Sequence, residues 1–376
     1  MTDAPRDATA DSRPREDAMS VLYVDPASRP DPTRGGNGNG NGRCHVRVVY
    51  RSTAGAIHLS WPAERLREAV DDPGGLVWVD IEDPETQTTG VPEAILRDVF
   101  QFHPLAVEDA LKETHVPKVD DWGDHLYLAF HSIEYETSTG HIKLHELDVF
   151  LGKNYLVTYH TEPLAFLEQD RRNLERDLTN RMRHGVDYLL YHFLDLAVAD
   201  YLPVIEHLDS AIDDAQEEVF QSPTPATLQE IFRVKRSVLK LHRVIAPERE
   251  VLNRLARDSY DPINEDHRVY FRDVYDHLVR VHDLTESLRD LVSGALDTYL
   301  SAISNRTNDT MRTLTLVTVM FLPMSFLAGF FGMNFFGETL AFKAELPRRL
   351  IFFATCLVMA ASFLGQWYWA RKKGWI

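Results

Sequence analysis

Residues 314–332 read LTLVTVMFLPMSFLAGFFG, nineteen positions without a charge. At about 1.5 Å per helical residue the run spans about 28 Å, the depth of a bilayer core. A second uncharged run, LIFFATCLVMAASFLGQWYWA, occupies residues 350–370. It closes on Trp367, Tyr368 and Trp369, an interfacial aromatic belt, followed at once by Arg371, Lys372 and Lys373. Two such runs, back to back at the end of a strongly charged chain, predict a transmembrane hairpin with spans at about 314–332 and 350–370 rather than two buried core helices.

The rest of the chain has a different character. The protein has 376 residues and a formal net charge of −17. Residues 312–376 hold seven basic and two acidic side chains, a balance of +5, so the preceding 311 residues carry −22. So acidic a soluble part lacks the basic face that binding to nucleic-acid phosphates requires. Two cysteines, Cys44 and Cys356, are too few for a disulfide framework or a thiolate-built zinc site. The opening residues, MTDAPRDATADSRPRED, contain no apolar stretch able to direct the large acidic part out of the cell. That part is therefore expected in the cytoplasm, and an even number of spans returns the C-terminus to the same side of the cell (inner) membrane.

Four regions are expected. Residues 1–43, ending in GGNGNGNG at 35–42, are too poor in apolar residues to fold and read as a disordered tail. Residues 44–162 read as an α/β domain: HVRVVYR at 45–51 and LVWVDIE at 76–82 are strand-like, and 125–160 form a meander that turns at Gly152-Lys153-Asn154. Short helices are expected at 92–100 and 104–112. Residues 163–311 form a stalk of long helices, over 186–220 and from Thr224 as N-cap through Pro225 to 258, with Pro203 and Pro247 as sites of a kink or break. A third helix starts near Asn264 and meets no proline until Pro323. Carried to Gly332 it reaches roughly 100 Å, a length that needs lateral packing, most simply against copies of itself. Residues 312–376 are the membrane hairpin.

Steps of four and three along that third helix trace one continuous line through Asp297, Ser301, Ser304, Asn308, Met311, Thr315, Thr318, Leu322, Ser325 and Gly329. Its membrane portion is a small and polar stripe flanked by Leu, Val and Phe. A stripe of this kind is costly against lipid and belongs against protein or water. Close helix packing in an oligomer is one reading, and a water-filled path walled by several copies is the other. Asp297 at the cytoplasmic end favours the path, because a ring of carboxylates attracts cations. Asp276, Asp283, Asp290 and Asp297 also recur every seven residues; buried together they would repel, so they form a solvated face or a zone that concentrates divalent cations.

The first span ends in Phe331-Gly332-Met333-Asn334-Phe335. A Gly-Met-Asn tripeptide at the outer end of the first of two C-terminal spans resembles the CorA family of magnesium and cobalt transporters. The resemblance extends through VEDALKETHVPKVDDW at 107–122, YFRDVYDH at 270–277, LDTYLSAISNRTNDTMRTLT at 296–315 and PMSFLAGFFGMN at 323–334. It implies a funnel-shaped homopentameric channel in a lipid bilayer. Its selectivity filter would be Gly332, Met333 and Asn334, and its pore lining and gate Asp297, Asn308, Met311, Leu314, Thr318, Leu322, Ser325 and Gly329. The resemblance further implies closure by cytoplasmic Mg2+ held between subunits at Asp109 and Asp273, with Glu108 and Asp195 as a second set. Mg2+ is the implied transported and regulatory ion, with Co2+ or Ni2+ as further substrates.

Residues 335–338 (Phe-Phe-Gly-Glu) and 344–347 (Ala-Glu-Leu-Pro) depart from the usual continuation of the motif, and Leu322 and Ser325 stand where Met and Thr are frequent. A zinc-transporting branch of the same superfamily is the alternative, although it usually alters the middle residue of the motif, here Met333. No phosphate-cradling Gly-x-x-x-x-Gly-Lys-Ser/Thr loop, His-Glu-x-x-His or Gly-x-Ser-x-Gly pattern is present, so passive transport rather than an enzyme or an ATP-driven pump is expected.

Overall fold

β1 (His45–Arg51) alternates polar and β-branched residues at its start, whereas β3 (Leu76–Glu82) is a mostly apolar run whose central residues are buried on both faces. A computed structural model describes residues 44–84, 90–112, 116–136, 139–167, 181–332 and 345–374. The N-terminal tail, Met333 and Asn334 lie outside the described residues. The chain divides into two compact units, one reaching to Asp213 and including Glu230–Val292, the other made of Asp214–Gln229 and the residues from Ser293 on.

The first unit is built on a seven-stranded sheet in the order β2-β1-β3-β7-β6-β5-β4. Its remaining strands are β2 (Ile57–His58), β4 (Lys118–Asp121), β5 (Leu126–Glu136), β6 (His141–Leu151) and β7 (Tyr155–His160). The β3–β7 pair is parallel and the other pairs are antiparallel. The turn between β6 and β7 falls on residues 152–154, where the sequence places it.

One face of the sheet offers Val77, Val79 and Ile81 of β3 with Tyr127 and Phe150 to a core completed by three short helices. These are α1 (Leu66–Val70), α2 (Val91–Ala94, continued by a wide turn over Ile95–Val99) and α3 (Pro104–Lys112). Stacked rings of Phe100, Phe102 and Phe150 anchor that layer, Phe102 lying 5.2 Å from Phe100 and 4.3 Å from Phe150 between centroids.

On the opposite face Trp78 packs against Phe193 at 5.0 Å, on α4 (Val186–Ala199). Beside it lies a buried polar chain. The Trp78 indole donates to Thr158 Oγ1 (3.1 Å), whose hydroxyl donates to Asp80 (2.8 Å). His160 meets the same carboxylate at 3.2 Å. Burial opposes the charge on both partners, but their mutual pairing prevails and holds Asp80 below and His160 above its ordinary pKa.

The helical segment at 186–220 is broken at Asp200 into α4 and α5 (Tyr201–Gln221), so Pro203 falls in a first turn, where its missing N–H costs nothing. Pro247, in contrast, is accommodated inside an unbroken α6 (Pro225–Arg257). Thr224 caps α6 reciprocally: the Thr227 amide donates to Thr224 Oγ1 and the Thr224 amide to Thr227 Oγ1, both at 3.2 Å. Three cations on α6 reach strand or turn carbonyls: Arg233 on Gly140, Lys240 on Ile142 (2.9 Å) and Arg254 on Val119 (2.8 Å). They tie this helix along the sheet.

Asn264 caps a single tight turn (Glu265–His267) that leads into α7 (Arg268–Gly332), a 65-residue helix. Buried Asp187, at the start of α4, accepts from the Asn264 amide (2.9 Å) and pairs with His267 Nδ1 (2.8 Å), which fixes where α7 begins. The last described helix is α8 (Glu345–Lys372).

Candidate functional site

The four-and-three line on α7 lies wholly on its exposed side. All ten positions from Asp297 to Gly329 are exposed in the chain. The strip of α7 with reduced exposure runs instead through Leu316, Met320, Pro323, Met324 and Leu327. At about 100° per residue, Met320 lies roughly 200° round the helix from Thr318, on the opposite side. The matching strip of α8 is Thr355, Met359, Ser362, Phe363, Gln366 and Ala370. The Arg312 guanidinium, at the start of the apolar part of α7, donates to the Gly374 carbonyl just beyond the end of α8. The apolar stretch within α7 is long enough to cross a membrane, and almost none of it is buried in the chain. Residues 186–221 pass the same test of length and composition, but half of that window is buried.

Three hydroxyls along the line are satisfied within the helix. Ser301 donates to the Asp297 carbonyl (2.9 Å), Thr315 to that of Met311 (2.8 Å) and Thr318 to that of Leu314 (2.9 Å). With its proton turned back into the helix, each hydroxyl presents only acceptor capacity outward. Met311 and Leu314 lie in the same stretch at 56% and 60% exposure, an openness shared with Phe321 and Phe326 in the apolar part of the helix, so lipid, a partner surface or a lumen can cover them. Gly332 ends α7.

The four acidic residues implied as regulatory ligands do not converge within one chain. Among the described residues no group of three or more His, Cys, Asp or Glu side chains is placed to hold a metal ion. Glu108 and Asp109 sit on α3, where Glu108 pairs with Lys112 at 2.5 Å and Asp109 with Lys118 at 2.5 Å. Asp195 on α4 pairs with His277 on α7 at 3.5 Å, and Asp273 is exposed one turn before His277. The carboxylates are hard oxygen donors, Glu108 and Asp273 exposed and Asp109 and Asp195 half-buried, a donor type that suits a Mg2+ ion keeping part of its water shell. Asp276, Asp283, Asp290 and Asp297 are all exposed, so within one chain the heptad aspartates form a solvated face.

Lys118 and His277 join these carboxylates only in the folded chain; neither stands out in the sequence. Lys118 lies within the 107–122 stretch that carries the family resemblance, but its contact with Asp109 depends on how α3 folds back on β4. Burial works against its charge, while hydrogen bonds to Asp109 and Asp120 outweigh that effect and raise its pKa.

A family model described as CorA-like Mg2+ transporter protein matches residues 73–372. The chain belongs to the CorA family. It is 32% identical over 298 residues to the putative metal ion transporter YfjQ of Bacillus subtilis (strain 168), covering 79% of this chain and 89% of that protein. It is also 32% identical over 279 residues to the cobalt/magnesium transport protein CorA of Thermotoga maritima, covering 74% of this chain and 78% of that one. The zinc transport protein ZntB of Yersinia enterocolitica matches at 25% identity over 286 residues, 73% of this chain and 81% of that protein.

Among solved structures, the complete CorA magnesium transporter of Methanocaldococcus jannaschii superposes with a TM-score of 0.72 at 20% identity, covering 88% of this chain and 99% of that one. The full-length CmaX protein superposes with a TM-score of 0.67 at 21% identity, covering 89% and 99%. The fold is thus CorA-like, an α/β domain followed by long helices with candidate membrane spans, and the protein is a membrane-borne divalent metal ion transporter of the CorA superfamily.

Proposed function

We infer that this CorA-family chain assembles as a homopentamer and conducts Mg2+, with Co2+ or Ni2+ as further substrates, passively through a pore lined by five copies of α7. The observation that carries this is the placement of the ten-residue line from Asp297 to Gly329, exposed along its whole length and opposite the strip that faces inward. The inward strips of α7 and α8 and the Arg312–Gly374 bond favour a membrane hairpin; we place it in the inner membrane with both termini cytoplasmic.

Mg2+ releases water reluctantly, so a pore for it handles a hydrated ion. The outer surface of that hydration shell is a layer of O–H donors, and the wall must accept them. Thr318 and Thr315, and Ser301 about 20 Å further toward the cytoplasm, have their protons committed to the helix and their oxygens left as acceptors. Asn308 and the Asp297 ring extend the same chemistry toward the cytoplasm. Met311 and Leu314 form the apolar constriction, which closes by excluding water. Above them Leu322, Ser325 and Gly329 line the way to the outer mouth at Gly332, Met333 and Asn334. Asn334 amides and nearby backbone carbonyls bind the shell without a charge that would hold the ion too long.

Closure results from cytoplasmic Mg2+ bridging Asp109 to Asp273 of the partner subunit, with Glu108 and Asp195 as the weaker pair. Unbridged, these carboxylates repel across the interface and let subunits separate. Zinc transport is the second reading, favoured by the likeness to the Yersinia protein.

Replacing Asn334 with Ala tests the pore mouth. Mg2+ flux into proteoliposomes is expected to fall by at least about tenfold while native mass spectrometry still reports five copies. Flux at the unmodified rate in the intact oligomer would remove Asn334 from the pathway.

A further inference from the structure

We propose that Lys118 is a resident counter-ion that competes with the regulatory divalent cation for Asp109 and thereby sets how much cytoplasmic Mg2+ is needed for closure. The inference rests on the reading of Asp109 and Asp273 as the regulatory pair.

Lys118 opens β4, the edge strand next to β5, and its ammonium is held from three sides. Asp109 Oδ2 on α3 lies at 2.5 Å, Asp120 Oδ2 two residues along the same strand at 2.9 Å, and the ring of Tyr127 on β5 lies 5.1 Å below. Tyr127 is itself fixed. It is fully buried, stands opposite Asp120 in the strand register, and donates its hydroxyl to buried Asp148 at 2.6 Å. The cation therefore sits on a rigid platform, with about 30% of its side chain exposed against 65% for Lys112 on Glu108. Lys112 is a surface partner one helical turn away on α3, which water and salt screen strongly. Lys118 is better shielded, and the aromatic face adds an attraction that screening removes less readily.

A divalent ion approaching Asp109 meets a carboxylate already engaged by a fixed positive charge. Binding must either displace the ammonium, losing its pairing, or accept repulsion from it at close range. Both routes weaken the site relative to a bare carboxylate pair. That is the requirement for sensing an abundant ion, because a site that saturates at trace concentration never reports a change. Asp120 retains the ammonium when the metal takes Asp109, so displacement need not leave the lysine unpaired.

The test uses the full-length protein in detergent, with Mg2+ as ligand and two readouts: the Mg2+ midpoint for raising the melting temperature, and the internal Mg2+ midpoint for flux inhibition in proteoliposomes. Lys118→Met keeps the aliphatic stem on Tyr127 and removes the charge, and Lys118→Gln serves the same purpose with a polar end. Both midpoints are expected to fall by about threefold, the scale of one partly exposed ion pair, while Lys118→Arg leaves them in place. Unchanged or higher midpoints in both neutral variants, with unaltered metal-free melting, overturn the competition.

Asp109→Asn and Asp273→Ala separate the two levels of inference. If they raise the midpoints while the Lys118 variants shift nothing, the regulatory pair stands and the counter-ion fails. If they leave the midpoints unchanged, the regulatory pair itself fails, and the Lys118 proposal with it.

Discussion

Glu248 on α6 shows how far one buried group can shape behaviour. It is fully buried between the His131 amide of β5, which donates to Oε1 at 2.9 Å, and the Tyr201 hydroxyl of α5, which donates to Oε2 at 2.9 Å. Burial pushes its pKa up to about 8, against the pull of those two hydrogen bonds. In the unfolded chain a glutamate ionises near ~4.3. Between these values the native state keeps a proton that the unfolded state has released, so stability falls as pH rises through this window and levels off above about 8. Glu248→Gln removes the penalty: it is expected to match the parent near pH 4 and to exceed it by a few kcal/mol above pH 8. Melting temperatures recorded across the pH range check this, and a constant offset at every pH would contradict it. No sequence pattern marks this group, because a glutamate in a charged helix reads as surface until α6 is laid on the sheet. Lys118 is hidden for the same reason, whereas Asp109 and Asp273 can be named from the motifs around them.

Strong local patterns carry through to the elements. β1 and β3 fall on the residues that alternation or a β-branched, apolar run marks, the β6–β7 turn on Gly152-Lys153-Asn154, and the α6 cap on Thr224. β4 escapes sequence reading because Lys-Val-Asp-Asp has one apolar residue and becomes a strand only by pairing with β5. α1 is five residues long, and β2 two, too short for any period to show. Pro247 reads as the site of a kink or break, yet packing and the ties from Arg233, Lys240 and Arg254 keep α6 continuous. The line on α7 is legible because its composition changes on one face only; its ten positions are exposed within the single chain. Cysteine scanning reads that face directly. Thr315→Cys is expected to form oxidative cross-links between copies, whereas Met320→Cys, on the opposite strip, is expected to form none. Cross-links of equal yield at both positions would dismiss a unique lumen-facing side.

At the scale of the whole molecule, charge divides by region: −22 before residue 312 and +5 from there on. In the proposed pentamer, five such copies would concentrate cations at a cytoplasmic assembly and at its subunit interfaces, and the basic residues would flank the membrane. Membership in the CorA family accounts for transport of a divalent metal ion. If five copies of α7 wall a pore as proposed, its small and polar line and a Gly332-Met333-Asn334 mouth suit a hydrated ion such as Mg2+. The most direct measurement is therefore ion-selective flux into proteoliposomes holding the purified protein, with an inside-negative potential and no ATP, comparing Mg2+, Co2+, Ni2+ and Zn2+. Mg2+ uptake that stops as internal Mg2+ rises, with Co2+ or Ni2+ also admitted, is the expected result; transport of Zn2+ alone, or no flux without ATP, would contradict a passive Mg2+ channel.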